Sequence, residues 1–304
     1  MVSAINRLDN KKNHTIQRIL FWVLVAVYTL ALPDAILVYD AITKHFSSAM
    51  AGKIPIVFII VMGIGYFISS LMLNKGIKAL KMLVPCIIIV CILIYLEPNP
   101  NKHIHIPEYI IMSWILFEAL SLDYLGKGVL ILIFICSSLL GLVDELLQGI
   151  HPERFYGLGD MAMNSAATFI GILALAGIKR FPTGDWTWIG CFNQFKKALA
   201  VTFFGALGAV LMCMYLFDVK TYLAFWDIYP YWLLGWNGLF IIAGLGVILV
   251  SGRLHKPVKF SNNRSQNSSE KAITARLWIL CPLVILIVMH GLVVAIPITG
   301  VTFR

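Results

Sequence analysis

The chain has 304 residues, of which 60% are hydrophobic and only 13% are charged, and its formal net charge is +9. Soluble domains use charged residues about twice as often, so this composition excludes an ordinary aqueous domain and predicts an all-α, polytopic transmembrane helical bundle. We interpret the excess of Lys and Arg as topological signals beside the helices rather than as a nucleic-acid surface.

The apolar runs predict nine transmembrane helices. The first follows a charged N-terminal segment and is too long for the core of a signal peptide, so we expect it to be retained. The fourth is the weakest prediction because it is short and carries Glu118 and Asp123. In chain order, the predicted helices are 16–38, 54–73, 79–97, 107–124, 126–148, 160–178, 197–217, 230–250 and 276–298.

The distribution of Lys and Arg predicts the orientation. With nine crossings and the N-terminus inside, the inner segments hold 18 of the 24 Lys and Arg residues and the outer segments hold 6. If the fourth helix did not cross, the basic clusters at 179–197 and 251–276 would lie outside, against the positive-inside rule. The sequence therefore predicts a multi-pass plasma-membrane protein with its C-terminus outside and a cytoplasmic basic loop at 251–275.

Residues 144–164, DELLQGIHPERFYGLGDMAMN, form one of the most polar stretches of the chain. In the predicted topology this stretch and the loop before the fourth helix lie on the same, outer side. Ionisable groups at membrane depth are costly and usually face a protein interior or a water-filled cavity. We therefore predict one outward-facing polar site, formed by Lys102, His105, Tyr109, Asp144, Glu145, Gln148, Arg154, Asp160 and Asn164.

Helical spacing supports this clustering, because several of these residues are four positions apart and share a helix face. Below Asn164 on the same face, Ala167 and Gly171 are small enough to permit close helix approach. Acids at the end of the fifth helix oppose its macrodipole, and Arg154, His105 or Lys102 could compensate them. Simpler interpretations remain open: Asp160 as a helix N-cap, Tyr109 as an interfacial anchor, and Asp144 and Glu145 as charges facing water.

Neither the cysteines nor the acids show a metal-binding spacing. The six cysteines form no CxxC pair and are interpreted as packing residues. His105, Asp144, Glu145 and Asp160 are residue types that could hold a divalent ion, but no HExxH-type spacing supports one. No metal and no cofactor is predicted.

The patterns K-x-x-H-x-x-x-Y, D-E-x-x-Q, P-x-R and D-x-x-x-N, in this order, resemble the VanZ-like family of small membrane proteins. The match covers a four-helix core at residues 79–178. The predicted helices in 1–78 and in 179–304 lie outside it. The family often has glycine three residues after the Asn, where this chain has Ala167. Because the family's name comes from a protein associated with low-level teicoplanin resistance, the resemblance implies an envelope role outside the membrane.

Three classes of function remain open. In the first, the protein binds or remodels a lipid headgroup or a lipid-linked envelope precursor, with Lys102 and Arg154 holding phosphate or carboxylate. In the second, it is a membrane-embedded hydrolase or transferase in which His105 is a general base oriented by Asp144 or Glu145. The third is a small-solute transporter.

The transporter interpretation uses three polar residues of other predicted helices, namely Glu118, Asn237 and His290, which could mark a path through the membrane. Each could equally be a packing residue, and no inverted repeat supports a transporter fold. Since the polar residues crowd one side, the sequence favours a site open to one face of the membrane.

Overall fold

The computed structural model describes residues 2–73, 76–150, 157–181, 185–222, 231–253 and 265–299. Within these ranges the chain forms helices and short connections and contains no β-strand, which confirms the all-α fold class. The helices are α1 (Val2–Ala31), α2 (Ala35–His45), α3 (Ser48–Ala51), α4 (Ile54–Met72), α5 (Gly76–Leu96), α6 (His105–Ser121), α7 (Gly128–Ile150), α8 (Leu158–Ile178), α9 (Cys191–Gln194), α10 (Lys196–Tyr222), α11 (Tyr231–Arg253) and α12 (Ser265–Thr299).

Eight helical stretches of the described chain are long and apolar enough to cross a membrane. Each corresponds to one of the predicted transmembrane helices, so the structure indicates a multi-pass integral membrane protein. The stretches are His14–Asp34, Ser48–Met72, Gly76–Leu96, Gly128–Ile150, Leu158–Ile178, Lys196–Asp218, Trp232–Val250 and Ile273–Ala295.

The remaining predicted helix, the fourth in chain order, corresponds to α6 and differs from these eight. It has 17 residues, which at about 1.5 Å per residue gives a length of about 26 Å, less than the ~30 Å of a hydrocarbon core. Most of its side chains are buried. Crossing by α6, the count of nine and the orientation of the termini stay predictions.

The chain divides into two compact units. The central unit comprises Val27–Gly141 and Leu158–Asp185, and the flanking unit comprises Met1–Ala26, Leu142–Gly157 and Trp186–Arg304. The division of the sequence into segments 1–78, 79–178 and 179–304 stays a prediction.

In the central unit, α8 packs along both α5 and α6, and small residues bring these helices together. A Cβ atom added at Gly171 would lie 3.2 Å from Cα of Ile110 and would collide with the Ser113 hydroxyl. One added at Gly177 would lie 3.3 Å from Cα of Ala79. The predicted role of Gly171 in close helix approach is therefore confirmed.

In the flanking unit, α10, α11 and α12 pack against one another. Two glycines of α10 receive aromatic rings of α11, since Gly205 lies against Phe240 and Gly208 against Trp236. This arrangement lets large aromatic side chains fill the space that the glycines leave open.

Candidate functional site

The connection before α6 is a compact turn built around Glu97. Its carboxylate accepts a hydrogen bond from the backbone N–H of Asn99 at 3.0 Å, and its backbone carbonyl lies 2.8 Å from Nε2 of His103. The Asn99 side chain in turn accepts from the N–H of Asn101 at 3.1 Å. The resulting 3₁₀ turn, Pro100–Ile104, holds Lys102 in a defined position.

Lys102 joins this turn to the start of α8. Its Nζ lies 2.9 Å from Oδ1 of Asp160 and 3.9 Å from Oε2 of Glu97. The Lys102 side chain is 37% exposed and that of Asp160 is 8% exposed, so the pair joins a partly solvent-exposed cation to a buried carboxylate. Asp160 is the third residue of α8, where the helix dipole favours a carboxylate.

His105 is the first residue of α6 and lies beside two acids. Its Nδ1 is 3.3 Å from Oε2 of Glu108, one turn further along the helix. One of its ring nitrogens also lies within 4.8 Å of a carboxylate oxygen of Asp160. Pro107 occupies the first turn of α6, where its missing N–H costs no helical hydrogen bond. The structure therefore brings Lys102, His105 and Asp160 together.

Tyr109 and Asn164 meet at Gly141 of α7. A Cβ added at Gly141 would lie 3.1 Å from Cε1 of Tyr109 and 3.2 Å from Cβ of Asn164. Both residues are fully buried, so Tyr109 does not act as a surface anchor. One turn further along α8, the hydroxyl of Thr168 donates to the backbone carbonyl of Asn164 at 2.9 Å and lies 2.7 Å from the hydroxyl of Ser137. Asn164, Thr168 and Ser137 thus form a chain of polar contacts that leads from the site along α8.

Asp144, Glu145 and Gln148 lie in the last turns of α7, within the flanking unit. The two acids are fully buried, so the simpler interpretation that they face water is wrong. The Gln148 amide donates to Oε1 of Glu145 at 3.4 Å, and the N–H of Gly157 donates to Oε2 at 3.3 Å. Arg154 lies outside the described residues, and its pairing with these acids stays a prediction.

Charged side chains near Lys102 in the central unit are mostly acidic. Glu97 and Asp160 contact Lys102, and Glu108 contacts His105. Three carboxylates therefore face one ammonium group and one imidazole. Such a site suits a ligand that carries a positive group beside an acceptor for Lys102.

No protein-family model, curated protein or solved structure matches this chain.

Three charged residues were not singled out from the sequence. Glu97 and Glu108 contact site residues, and the spacing of Glu108 three positions after His105 was the available signal. Arg18, in the flanking unit, is fully buried although charge counting treats it as one of the N-terminal topological cations. Its position inside the first apolar run was the signal, because a charge at that depth requires compensation.

The three residues of the transporter interpretation occupy ordinary packing or surface positions. In the central unit, Glu118 is exposed and lies 3.7 Å from Nζ of the equally exposed Lys179. In the flanking unit, Asn237 and His290 are buried and hydrogen-bonded to each other. The Asn237 amide also donates to the carbonyl of Leu233 at 2.5 Å. Because each has a local partner, these residues give no support to a transport path.

Proposed function

We propose that this protein binds the headgroup of an amphiphile, either a membrane lipid or a lipid-linked envelope precursor, at the site formed by Lys102, His105, Tyr109, Asp160 and Asn164. The observation that carries the proposal is the Lys102–Asp160 pair, whose Nζ and Oδ1 atoms are 2.9 Å apart. The partly exposed ammonium remains accessible to an anionic group, while Asp160 and the compact turn hold it in position.

The charges of the site specify the kind of headgroup. Lys102 supplies the positive charge that a phosphate requires, and the surrounding carboxylates of Glu97, Glu108 and Asp160 suit an amine. A headgroup carrying both a phosphate and an ammonium therefore matches the site better than a purely anionic one. Buried Tyr109 and Asn164 lie one helical turn beyond His105 and Asp160 and add polar groups on the same helices.

The resemblance to the VanZ-like family and the charge distribution support an envelope role on the outer side of the plasma membrane. In this proposal, residues 79–178 form the family's core and the site opens outward. Profiling the lipids and cell-wall precursors of cells with and without the gene, together with teicoplanin susceptibility, distinguishes a lipid from a lipid-linked precursor as the ligand.

The orientation can be tested by cysteine labelling in a variant whose six native cysteines are replaced. Gly159→Cys introduces an exposed thiol with no neighbouring atom within 4 Å of its Cβ, and Ser265→Cys places one at the start of α12. A membrane-impermeant maleimide added to intact cells is expected to label the thiol at 159 and to spare the one at 265. The reverse pattern would exclude an outward-facing site.

Headgroup binding can be measured by thermal unfolding of the purified protein with dihexanoyl phospholipids that differ only in their headgroups. A ligand that binds the folded state raises the melting temperature in a concentration-dependent manner. We expect phosphatidylethanolamine to stabilise the protein more than phosphatidylglycerol does, because its ammonium matches the acidic surroundings of Lys102. His105→Gln is expected to weaken the apparent affinity by about tenfold, or ~1.4 kcal/mol.

The matched control is His45→Gln, which changes an exposed histidine of α2 in the same way. It should bind as the native protein does. Equal stabilisation by all headgroups, or native affinity in the His105→Gln variant, would mean that the polar cluster is architectural.

A second candidate function is supported by the contact between His105 and Glu108. The charge of a carboxylate oxygen 3.3 Å from Nδ1 favours a proton on that nitrogen, so that Nε2 is the basic atom. As a general base in hydrolysis of a headgroup ester, His105 takes a proton from the attacking water, and the released alcohol receives a proton from solvent. Release of a water-soluble headgroup from phospholipid, lost in His105→Gln while binding persists, would favour this function over binding alone.

A further inference from the structure

The central unit contains an apolar cavity of about 410 Å³ between α4, α5, α6 and α8. This volume lies within the ~300–1,000 Å³ range of small-molecule sites. Its deep wall includes the buried residues Cys86, Ile110 and Ile170 and the partly buried Trp114. The few polar groups that line it are a tyrosine hydroxyl, an indole and a thiol, so the cavity suits a hydrocarbon ligand.

The outer wall of the cavity lies on the surface of two candidate membrane spans. Ile60 and Ile64 of α4 and Ile87 of α5 line the cavity and are each more than half exposed. In a bilayer, residues at such positions contact acyl chains. The ligand that reaches this cavity from its surroundings is therefore a lipid chain, because an apolar cavity gives water no polar partners.

The cavity and the polar site share two helices. From His105 to Trp114 along α6 is about 14 Å, and from Asp160 to Ile170 along α8 is about 15 Å, at about 1.5 Å per residue. One apolar cluster extends from Ile106, next to His105, to the residues of the cavity wall. Charged groups thus lie at one end of α6 and α8, and an acyl-sized cavity lies about three turns further along.

We propose that this cavity holds one acyl chain of the lipid whose headgroup binds at Lys102 and His105. The inference rests on the proposed function and gives the ligand its class: a phospholipid or lipid-linked precursor, recognised at both its headgroup and one chain. Chain length then becomes a determinant of affinity, because the volume of the cavity is limited to about 410 Å³.

Gly63 offers a direct test, since it lines the cavity and a Cβ added there meets no atom within 4 Å. Gly63→Phe is expected to fill the cavity without a clash in the protein, and it replaces a residue that destabilises helix interiors. Gly65→Phe is the matched control, because Gly65 is exposed on the same helix, has equally open surroundings and does not line the cavity. If Gly63→Phe fails to fold, Gly63→Val provides a smaller obstruction.

The probe is a phosphatidylethanolamine with a diazirine near the end of a palmitoyl chain, irradiated with the purified protein in lipid nanodiscs. Mass spectrometry locates the label. Label on Ile110, Trp114 or Ile170 reports a chain inside the cavity, whereas label on exposed residues of α4 also arises from bulk lipid. We expect cavity label in the native protein and in Gly65→Phe, and its loss in Gly63→Phe.

Absence of cavity label in the native protein, or unchanged label in Gly63→Phe, would overturn the proposal. Two further measurements separate it from the headgroup proposal. Gly63→Phe should still bind dihexanoyl phosphatidylethanolamine, because that ligand's chains are too short to require the cavity. His105→Gln should lower the cavity label. If it leaves the label unchanged, the cavity accepts a chain of any lipid and the shared ligand is excluded.

Discussion

Gly171→Leu is expected to be the most destabilising single substitution in the central unit. The first carbon of any side chain at this position would lie 3.2 Å from Cα of Ile110, which belongs to the backbone of α6 and cannot rotate away. The helices must therefore separate, which also disturbs Asn164 and Asp160 on α8. We expect a cost of about 3 kcal/mol, at the upper end for overpacked cores. The measurement is thermal unfolding in detergent together with the yield of monodisperse protein.

The control is Ala162→Leu, which places the same side chain at an exposed position of the same helix. Its melting temperature should equal that of the unmodified protein. The stability of Gly171→Ala should lie between those of the two Leu variants. The Ser113 hydroxyl can rotate away from the added methyl group, but the α6 backbone cannot. Native stability of Gly171→Leu would show that α6 and α8 do not approach as closely as described.

Lys102→Glu is expected to abolish headgroup binding, with a loss of affinity well above tenfold. It replaces the ammonium group with a third carboxylate beside Glu97 and Asp160, so the phosphate loses its partner and meets like charge. The effect on stability should be much smaller, about 1 kcal/mol or less, because the Lys102 side chain is 37% exposed and screened by water. Titration with dihexanoyl phosphatidylethanolamine and thermal unfolding of the ligand-free protein measure the two effects separately.

Two further variants make this prediction specific to the pair. Asp160→Lys alone should reduce stability more than Lys102→Glu does, because it buries an ammonium beside Lys102 at a helix N-terminus. The double variant Lys102→Glu, Asp160→Lys should recover part of that loss by restoring an ion pair of reversed polarity. Lys127→Glu, at an exposed position, is the control for the change in net charge. Strictly additive effects in the double variant would show that Lys102 and Asp160 do not interact.

Hydropathy alone predicted most of the helical architecture, because a run of about 20 apolar residues has few alternatives to a membrane-spanning helix. The close approach at Gly171 was also predictable, since small residues at helical spacing permit tight packing in membranes. Whether α6 crosses the membrane could not be predicted from hydropathy. Its 17 residues, with Glu118 among them, are compatible with either a short crossing or a buried helix, and packing against α8 determines its environment.

The site was predicted in composition but not in detail. The predicted topology placed Lys102, His105 and Asp160 on one side of the membrane, and the structure brings their side chains together. Spacing did not identify Glu97 and Glu108 as their ion-pair partners, because those contacts depend on how the Pro100–Ile104 turn folds back. Nor could spacing establish that Asp144 and Glu145 are buried, since acids near a helix end are equally common in water. Burial is a property of the packed structure and cannot be obtained from periodicity.

The hydrogen bond between Asn237 and His290 has a consequence for motion within the flanking unit. Sliding α11 along α12 by one turn, about 5.4 Å, would separate the amide from the imidazole and leave both without this partner in an apolar interior. The aromatic ring of Phe240, 4.3 Å from the imidazole ring, would lose its contact in the same step. The pair therefore fixes the register of α11 against α12.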